Sequence, residues 1–465
     1  MSMETVSEKQ VLSRTLFFIV VTLVALAPLP LASNRPLPMA LLGFGAGLAL
    51  LLWSVDIARG ARIAVSPARI AWPLGLFVAV CLWSLIQWLP LPIASLGDPI
   101  WAEAEKALGA PLASRVTVNP EATLSGTMRL LTYGIVFWLT LQCTRETDEA
   151  RRALRAATFI GAAYASYGLI TYLLGNHWLL IYPKWAYPDA LTSTFVNRNS
   201  FATFAGLSLL CAVSLLLDGS GHIFALRRSI RQKLALIIEH ALNDARWVVL
   251  AVLLISIALL LTASRAGVAS SVVALLFLFA LRQSTGGGGL RGAVAMLALL
   301  GSLLALALTI GGRGLMERYA RDDIWLNQVK RADIYDTTWA LIASNPWTGT
   351  GLGTYEDVIT GYRDGAIDMR YKLDKAHNSY LESIAELGLP AALALHAALL
   401  LLALRIAKGL VERRRNRSLL AMGLAATLLV ALHALVDFSL QIPAVAIFYS
   451  FILGLSVSQS WRSSR

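Results

Sequence analysis

The sequence predicts an all-α, polytopic integral membrane protein of about twelve transmembrane helices. Three observations carry this. The 465 residues are 57% hydrophobic and only 15% charged, with a mean hydropathy of +0.64, whereas a soluble domain is about 45–50% apolar and about 25% charged. Apolar runs of about 20 residues, the length that spans a bilayer, recur near 14–32, 37–57, 70–90, 125–143, 155–175, 194–217, 247–263, 266–282, 292–311, 379–404, 419–437 and 441–459. The densest basic runs, Arg227-Arg228-Ser229-Ile230-Arg231-Gln232-Lys233 and Arg413-Arg414-Arg415-Asn416-Arg417, are short loops between such runs. Positive loops of this kind orient membrane proteins, so the net charge of +12 does not point to nucleic acid.

The first run has the look of a signal peptide, but further spans follow at once, so it reads as a retained anchor. An even number of spans puts both termini on one side, with loops 58–69, 144–154, 218–246, 283–291 and 405–418. That side holds 24 of the 40 Lys and Arg residues. The other side holds 16, nine of them in the single loop 312–378, a length at which the rule weakens. The termini are therefore expected inside, and loops 91–124, 176–193 and 312–378 outside. Gly286-Gly287-Gly288-Gly289 reads as a flexible linker. Cys81, Cys143 and Cys211 are too scattered for a disulfide framework or a zinc site and read as small packed hydrophobes. No internal repeat stands out, which weighs against inverted-repeat transporters.

The long outer loop has structural character. Ile324, Trp325, Val329, Ile334, Tyr335, Thr338, Trp339, Leu341 and Ile342 recur at helical spacing, and Pro346 follows Asn345 past the expected helix end. This predicts one or two amphipathic helices on the membrane face. Gly349-Thr350-Gly351-Leu352-Gly353 follows. No strand precedes it and no Gly-Lys-Ser/Thr closes it, so it is not a P-loop. A tight turn is favoured over a close approach of backbone N–H groups to phosphate or sugar.

His377-Asn378-Ser379-Tyr380-Leu381-Glu382, followed by Glu386-Leu387-Gly388, lies where this polar loop becomes apolar. Ser379 with Glu382 reads as a capping box, which leaves His377 unexplained. An imidazole with pKa about 6.5 accepts a proton at neutral pH, and a helix N-terminus keeps it neutral. Arg265, in Ser264-Arg265-Ala266-Gly267, occupies a very short connection between two apolar runs, where the ordinary alternative is a snorkelling arginine. Arg331 has the same chemistry, but beside Asp333 and Asp336 it also reads as a solvated loop residue. Guanidinium matches phosphate oxygens with paired donors. Asn197-Arg198-Asn199-Ser200 opens the sixth run on the outer face and reads as a substrate contact. His433 and Asp437, and likewise Glu382 and Glu386, are four apart on one helical face. For His433, Asp437 and Glu386, hydrogen bonding between helices is at least as good an account as function. No Asp/Glu cluster has Mg²⁺ spacing, so the expectation is a site without metal in which arginine stands where other enzymes use a cation. Charge kept at a membrane boundary is expensive and signals function. One base and two permanent cations on one side suggest chemistry on an anionic, lipid-borne substrate.

In this order, Asn197-Arg198-Asn199-Ser200-Phe201-Ala202, Ser264-Arg265-Ala266-Gly267, Arg331 with Trp339 and Asn345-Pro346-Trp347-Thr348-Gly349-Thr350-Gly351-Leu352-Gly353, then His377-Asn378-Ser379-Tyr380-Leu381 with Glu386-Leu387-Gly388, the chain resembles the O-antigen ligase and Wzy-type polymerase superfamily. The match covers roughly 190–450, with His433, Asp437 and Pro443 fitting its last two helices; the first five helices match only in being hydrophobic. The resemblance implies N-terminal helices over 1–190 and a ligase/polymerase-like core over 191–459 containing the periplasmic loop 312–378. It implies a GT-C-like glycosyltransferase of the bacterial inner membrane, both termini cytoplasmic and the active site periplasmic. Such an enzyme needs no cofactor and takes a glycan from undecaprenyl pyrophosphate. The acceptor is lipid A–core in the ligase branch and a growing lipid-linked chain in the polymerase branch; a protein acceptor ranks lower. The resemblance makes His377 the base for the acceptor hydroxyl and Arg265 with Arg331 the diphosphate pair. Arg198, Asn197, Asn199, Asn378 and Tyr380 become further substrate contacts. It also implies metal-independent, inverting transfer. Two rivals stand beside it: a lipid-linked polysaccharide flippase, in which His377 would be dispensable, and a non-catalytic assembly subunit, in which loss of Arg265 or Arg331 would lower the amount of complex rather than turnover.

Overall fold

The computed structural model describes residues 3–91, 97–225, 232, 245–284, 301, 331–363, 373–413 and 415–462. The apolar run near 292–311 (residue 301 apart), the four-glycine linker, most of the 227–233 basic run, and Ile324, Trp325 and Val329 fall outside the described residues. The described chain is mostly helical. In order it forms α1 (Met3–Leu26), α2 (Pro36–Ala58), α3 (Ala71–Trp88), α4 (Ile100–Leu108), α5 (Pro120–Cys143), α6 (Thr147–Leu173), α7 (Arg198–Ala225), α8 (Arg246–Leu261), α9 (Arg265–Ser284), α10 (Arg331–Ser344), α11 (Tyr355–Val358), α12 (Ser379–Leu387), α13 (Leu389–Glu412), α14 (Arg417–Ala434) and α15 (Pro443–Ser458). A two-stranded antiparallel hairpin, β1 (Trp178–Leu179) with β2 (Tyr182–Pro183), interrupts the helical pattern between α6 and α7.

Among the described residues, seven helical stretches are long and apolar enough to cross a membrane. They are Pro36–Ala58, Pro67–Trp88, Pro120–Cys143, Arg198–Asp218, Arg265–Gln283, Leu389–Glu412 and Arg417–Ala434. Arg14–Leu26, α8 and α15 are shorter apolar helices. Local chemistry sets several of the starts. Asn119 accepts the Ala122 N–H at 3.1 Å and is followed by Pro120 at the first helical position of α5, the usual cap-then-proline order. Pro36 and Pro443 open α2 and α15 in the same way.

Two differences from the sequence reading concern the helices around the site. The apolar run at 379–404 is not one helix. It breaks at Gly388 (φ 76°) into α12 and α13, where a Cβ would fall 2.3 Å from the Trp347 carbonyl oxygen and Pro390 sits at the start of α13. The sixth run begins only at Arg198; residues 192–197 before it are non-helical, with Ser193 at φ 53°.

The bundle is built around α7, the most buried of the candidate spans at 83%, against 17% for the peripheral α2. Helix α7 packs on α6, α8, α9, α14 and α15, while α3 lies along α13 and α5 along α15. Phe195, Phe201, Phe204 and Phe448 interlock at centroid distances of 4.7–6.5 Å near its start. Between apolar helices in lipid, such packing and the close approach of small residues supply the attraction. A Cβ on Gly267 would come within 2.6 Å of the Ala202 Cβ, and one on Gly206 within 2.3 Å of Ser271 Oγ. Glycine at these two places therefore brings the starts of α7 and α9 side by side.

Candidate functional site

Four helix starts meet at one end of the bundle. At α7, the Asn197 Oδ1 accepts the N–H groups of Asn199 and Ser200 at 2.7 and 3.3 Å, so Asn197 is the cap. Helices α8 and α9 are joined by Thr262, Ala263 and Ser264 alone. Ala263 takes φ 52°, and Ser264 Oγ accepts the Gly267 N–H at 3.3 Å. The described part of α10 begins at Arg331. At α12 the cap is Asn378, whose Oδ1 accepts the N–H groups of Tyr380 and Leu381 at 3.0 and 3.1 Å.

This corrects the expected capping box by one residue. Ser379 lies inside the helix, and its hydroxyl is 3.0 Å from both the Asp437 carbonyl and Gln441 Oε1, with one proton to share between them. Glu382 does not reach back to a cap N–H. It accepts Ala376 N–H at 3.0 Å and pairs with Lys375 at 3.2 Å.

A hydrogen-bond chain ties these starts to the turn after α14. Ser264 Oγ donates to Asn199 Oδ1 at 2.8 Å, and Asn199 Nδ2 donates to Asp437 Oδ1 at 3.3 Å. Ser439 Oγ donates to Asp437 Oδ2, Thr203 Oγ1 lies 2.9 Å from Ser439 Oγ, and the same Thr203 hydroxyl lies 2.6 Å from His433 Nδ1. Each hydroxyl has one proton, and an ionised carboxylate only accepts. With Asp437 ionised, Ser439 gives its proton to Asp437. Thr203 has one proton for three neighbours: Ser439 Oγ, the Asn199 carbonyl at 3.2 Å and His433 Nδ1. Asp437 is fully buried, so the donors Asn199 and Ser439 are what make its charge tolerable there.

His377 stands beside this chain at φ 51°. Its ring meets Phe438 edge-on at 5.1 Å, its carbonyl accepts from the Tyr335 hydroxyl at 3.2 Å, and its Nδ1 has no hydrogen-bond partner among the described residues. Burial pushes its pKa below the usual imidazole value. Asp437 opposes that shift, Arg331 adds to it, and Asp374 and Glu382 oppose it more weakly. The result is a neutral imidazole at neutral pH whose Nδ1 is buried without a hydrogen-bond partner.

The structure therefore gathers Asn199, Ser264, Ser379, Ser439 and Asp437 by hydrogen bonds, and places His377 and Arg331 in the same electrostatic field. Arg265 follows Ser264 directly and is exposed. Arg198 stacks over Tyr187 at 5.3 Å. Asn378 and Tyr380 have structural duties: Asn378 caps α12, and the Tyr380 hydroxyl donates to the Ala431 carbonyl at 3.0 Å, with its ring 4.9 Å from that of His396. Sequence reasoning offered hydrogen bonding between helices for Asp437, which the bond from Asn199 matches, and did not single out Thr203, Ser439 or Gln441. The one signal for them is the density of polar residues after an apolar run, in His433 to Gln441.

Behind the site, the glycine segment is a packed turn. The N–H groups of Gly349, Thr350 and Gly351 go to the carbonyls of Asn345, Ala385 and Glu386, and that of Leu352 to Gln87 Oε1. Those of Gly353 and Tyr355 go to the Glu386 carboxylate. These donors are all committed, so the segment is no anion cradle as it stands. Glu386 is raised to about 7, by burial first and then by Glu382. From α3, Gln87 Nε2 donates to the carbonyls of Thr348 and Glu386, and Trp83 Nε1 donates to that of Leu387, which fixes α12 against the N-terminal helices. Among the described residues, no three His, Cys, Asp or Glu side chains gather as for a metal ion.

No curated protein matches the chain. Residues 250–396 match the family model described as O-Antigen ligase. The matched stretch contains Arg265, Arg331 and His377; Asn199 and Asp437 lie outside it and are joined to it by the hydrogen bonds above. This match, over about a third of the chain, supports the likeness to the O-antigen ligase and polymerase superfamily.

Proposed function

We propose that the protein is a multi-pass glycosyltransferase of the bacterial inner membrane, acting in surface polysaccharide assembly. Its spans number about twelve, with both termini cytoplasmic and the site periplasmic. It moves a glycan from undecaprenyl pyrophosphate to a sugar hydroxyl on lipid A–core or on a growing lipid-linked chain. The observation that carries this reading is His377, a neutral imidazole with a buried, unpartnered Nδ1, within the electrostatic reach of Arg331 and Asp437 at the end of a membrane bundle whose segment 250–396 matches the ligase family.

In this mechanism the acceptor oxygen attacks the anomeric carbon while His377 takes its proton. The bond from that carbon to the pyrophosphate oxygen breaks, and the leaving group keeps the electron pair as undecaprenyl pyrophosphate. Direct displacement inverts the carbon. General-base help is typically worth 10²–10⁴-fold. Arg265 and Arg331 hold the diphosphate and stabilise its growing charge without metal, an effect of about 3–4 kcal/mol per well-placed donor. Asn197, Arg198 and Asn199 line the donor side, Asn378 and Tyr380 place His377, and Asp437 steadies the imidazolium as it forms. Deleting the gene and running glycolipid gels separates the branches: naked core with accumulated lipid-linked polymer means ligase, single-repeat caps mean polymerase. Purified protein in EDTA should still release undecaprenyl pyrophosphate; an absolute Mg²⁺ requirement refutes the arginine clamp.

A further inference from the structure

The β1–β2 hairpin and the end of α6 form an apolar outer surface that the site does not use. Leu173, Leu174, Trp178, Ile181 and Trp185 are each more than half exposed, Leu174 and Ile181 at 79% and 80%, with Tyr182 beside them. Contiguous apolar exposure of this kind marks an interaction surface. Between Leu173 and Pro188 the only Lys, Arg, Asp or Glu is Lys184, and it is folded inward. Its Nζ donates to Asn176 Oδ1 at 2.9 Å and to the Ala190 carbonyl at 2.6 Å. Lysine at a membrane surface ordinarily reaches outward for water; here it serves the loop's interior and leaves the outer face uncharged.

The hairpin is held firmly. Asn176 Nδ2 donates to the carbonyls of Pro188 and Ala190 at 2.6 and 2.9 Å, and the Leu180 N–H donates to the Tyr167 hydroxyl at 2.8 Å. Its apolar face continues the outward face of α6, where Phe159 and Ile170 are also more than half exposed. A sugar platform would set amides or carboxylates beside its aromatic rings. This patch sets Leu173, Leu174 and Ile181 there instead, with tryptophans, the mixture found at membrane–water interfaces.

We infer that this hairpin is seated in the interfacial layer of the bilayer's outer leaflet, so that the rim of the protein beside α7 is held at lipid head-group depth. Two residues beyond Trp185, Tyr187 lies under the Arg198 guanidinium, so the same anchor sets the depth of the candidate site. The inference stands whether or not the chain transfers glycans.

The test uses the full chain in lipid nanodiscs, with Cys81, Cys143 and Cys211 replaced by Ala. Ile181→Cys and, separately, Leu174→Cys carry an environment-sensitive fluorophore, with Asp336→Cys on α10 as the comparison. The expected result is that both hairpin labels are quenched at least twofold more than the Asp336 label by lipids bearing a shallow nitroxide, and are shielded several-fold from aqueous iodide. Equal iodide quenching at all three positions, with no quenching by nitroxide lipid, overturns the proposal and leaves the face free for a soluble partner. If one labelled variant fails to fold, the other gives the same reading.

Discussion

His377 occupies a backbone conformation that suits glycine. At φ 51° an L-residue is destabilised by about 1–2 kcal/mol relative to the right-handed region, and strain of this kind persists where function requires it. Replacement by Gly and by Ala separates backbone from side chain. Both remove the imidazole and its edge contact with Phe438, a contact of about 0.5–1.5 kcal/mol. Only Gly also relieves the φ strain, partly offset by about 0.5–1 kcal/mol of chain entropy. His377→Gly should therefore unfold near the wild-type temperature and about 1 kcal/mol above His377→Ala, read by thermal unfolding in detergent. Turnover should fall 10²–10⁴-fold in both, the span of general-base catalysis, read as undecaprenyl pyrophosphate released from a lipid-linked donor. A glycine variant that turns over normally ends the base assignment. One that is several kcal/mol less stable than wild type makes His377 a folding residue instead.

Three further outcomes follow from the geometry. Asp437→Asn removes the charge that Asn199 and Ser439 serve. Loss of a charge-assisted bond, about 1.5–3 kcal/mol, should lower kcat/KM about 10–100-fold with the fold intact by size-exclusion profile; unchanged kcat/KM would make Asp437 purely structural. Glu386 is held near 7 against an ordinary 4.5, so the native state binds its proton more tightly than the unfolded chain. That stabilisation is complete below about 4.5 and is lost as pH rises through about 7. Glu386→Gln should flatten the fall in unfolding temperature across this window, and a persistent slope assigns the effect to another group. Gly349 has φ 64°, and a Cβ there would sit 2.3 Å from the Glu386 carbonyl oxygen. Gly349→Ala should therefore cut folded yield sharply by fluorescence-detected chromatography, whereas normal yield would mean that the Glu386–Gly388 junction yields readily.

Much of this arrangement was legible because membrane boundaries make charge conspicuous. Arg265 stood out because only three residues join two apolar helices, and Asn197–Asn199 because they precede a long apolar run. The break at Gly388 was hidden by the high hydropathy on both sides, although Gly388 followed by Pro390 is a helix stop and start. The hairpin carries no glycine or Asn-Gly turn; Leu180 takes the left-handed conformation itself, at φ 57°, so pattern rules pass over it. The partner of Asp437 could not be named because Asn199 is 238 residues away, and spacing along one helix shows Asp437 only as a neighbour of His433. The off-by-one cap at α12 arose because Asn378 and Ser379 are both good caps; the choice falls to Asn378 because Ser379 is drawn to the turn after α14.

The two ends of the bundle use arginine in opposite ways. At the end where α15 finishes, Arg145 donates to the carbonyls of Ser458 and Trp461 at 2.9 and 3.1 Å, Arg405 to that of Ser460 at 2.6 Å, and Arg413 to those of Gln459 and Trp461. These cations sit at the C-terminus of α15, where the helix dipole favours positive charge and carbonyls lack partners. Folding alone accounts for them. At the other end, Arg198 and Arg265 occupy the first positions of α7 and α9, where the dipole disfavours a cation by up to about 1 kcal/mol each. The stack of Arg198 on Tyr187 offsets part of this for Arg198. Under the proposed transfer, the donor's diphosphate across the helix starts would favour both cations, since backbone N–H groups and guanidinium attract the same charge. Asp437, already bonded to Asn199 and Ser439, would not compete for it.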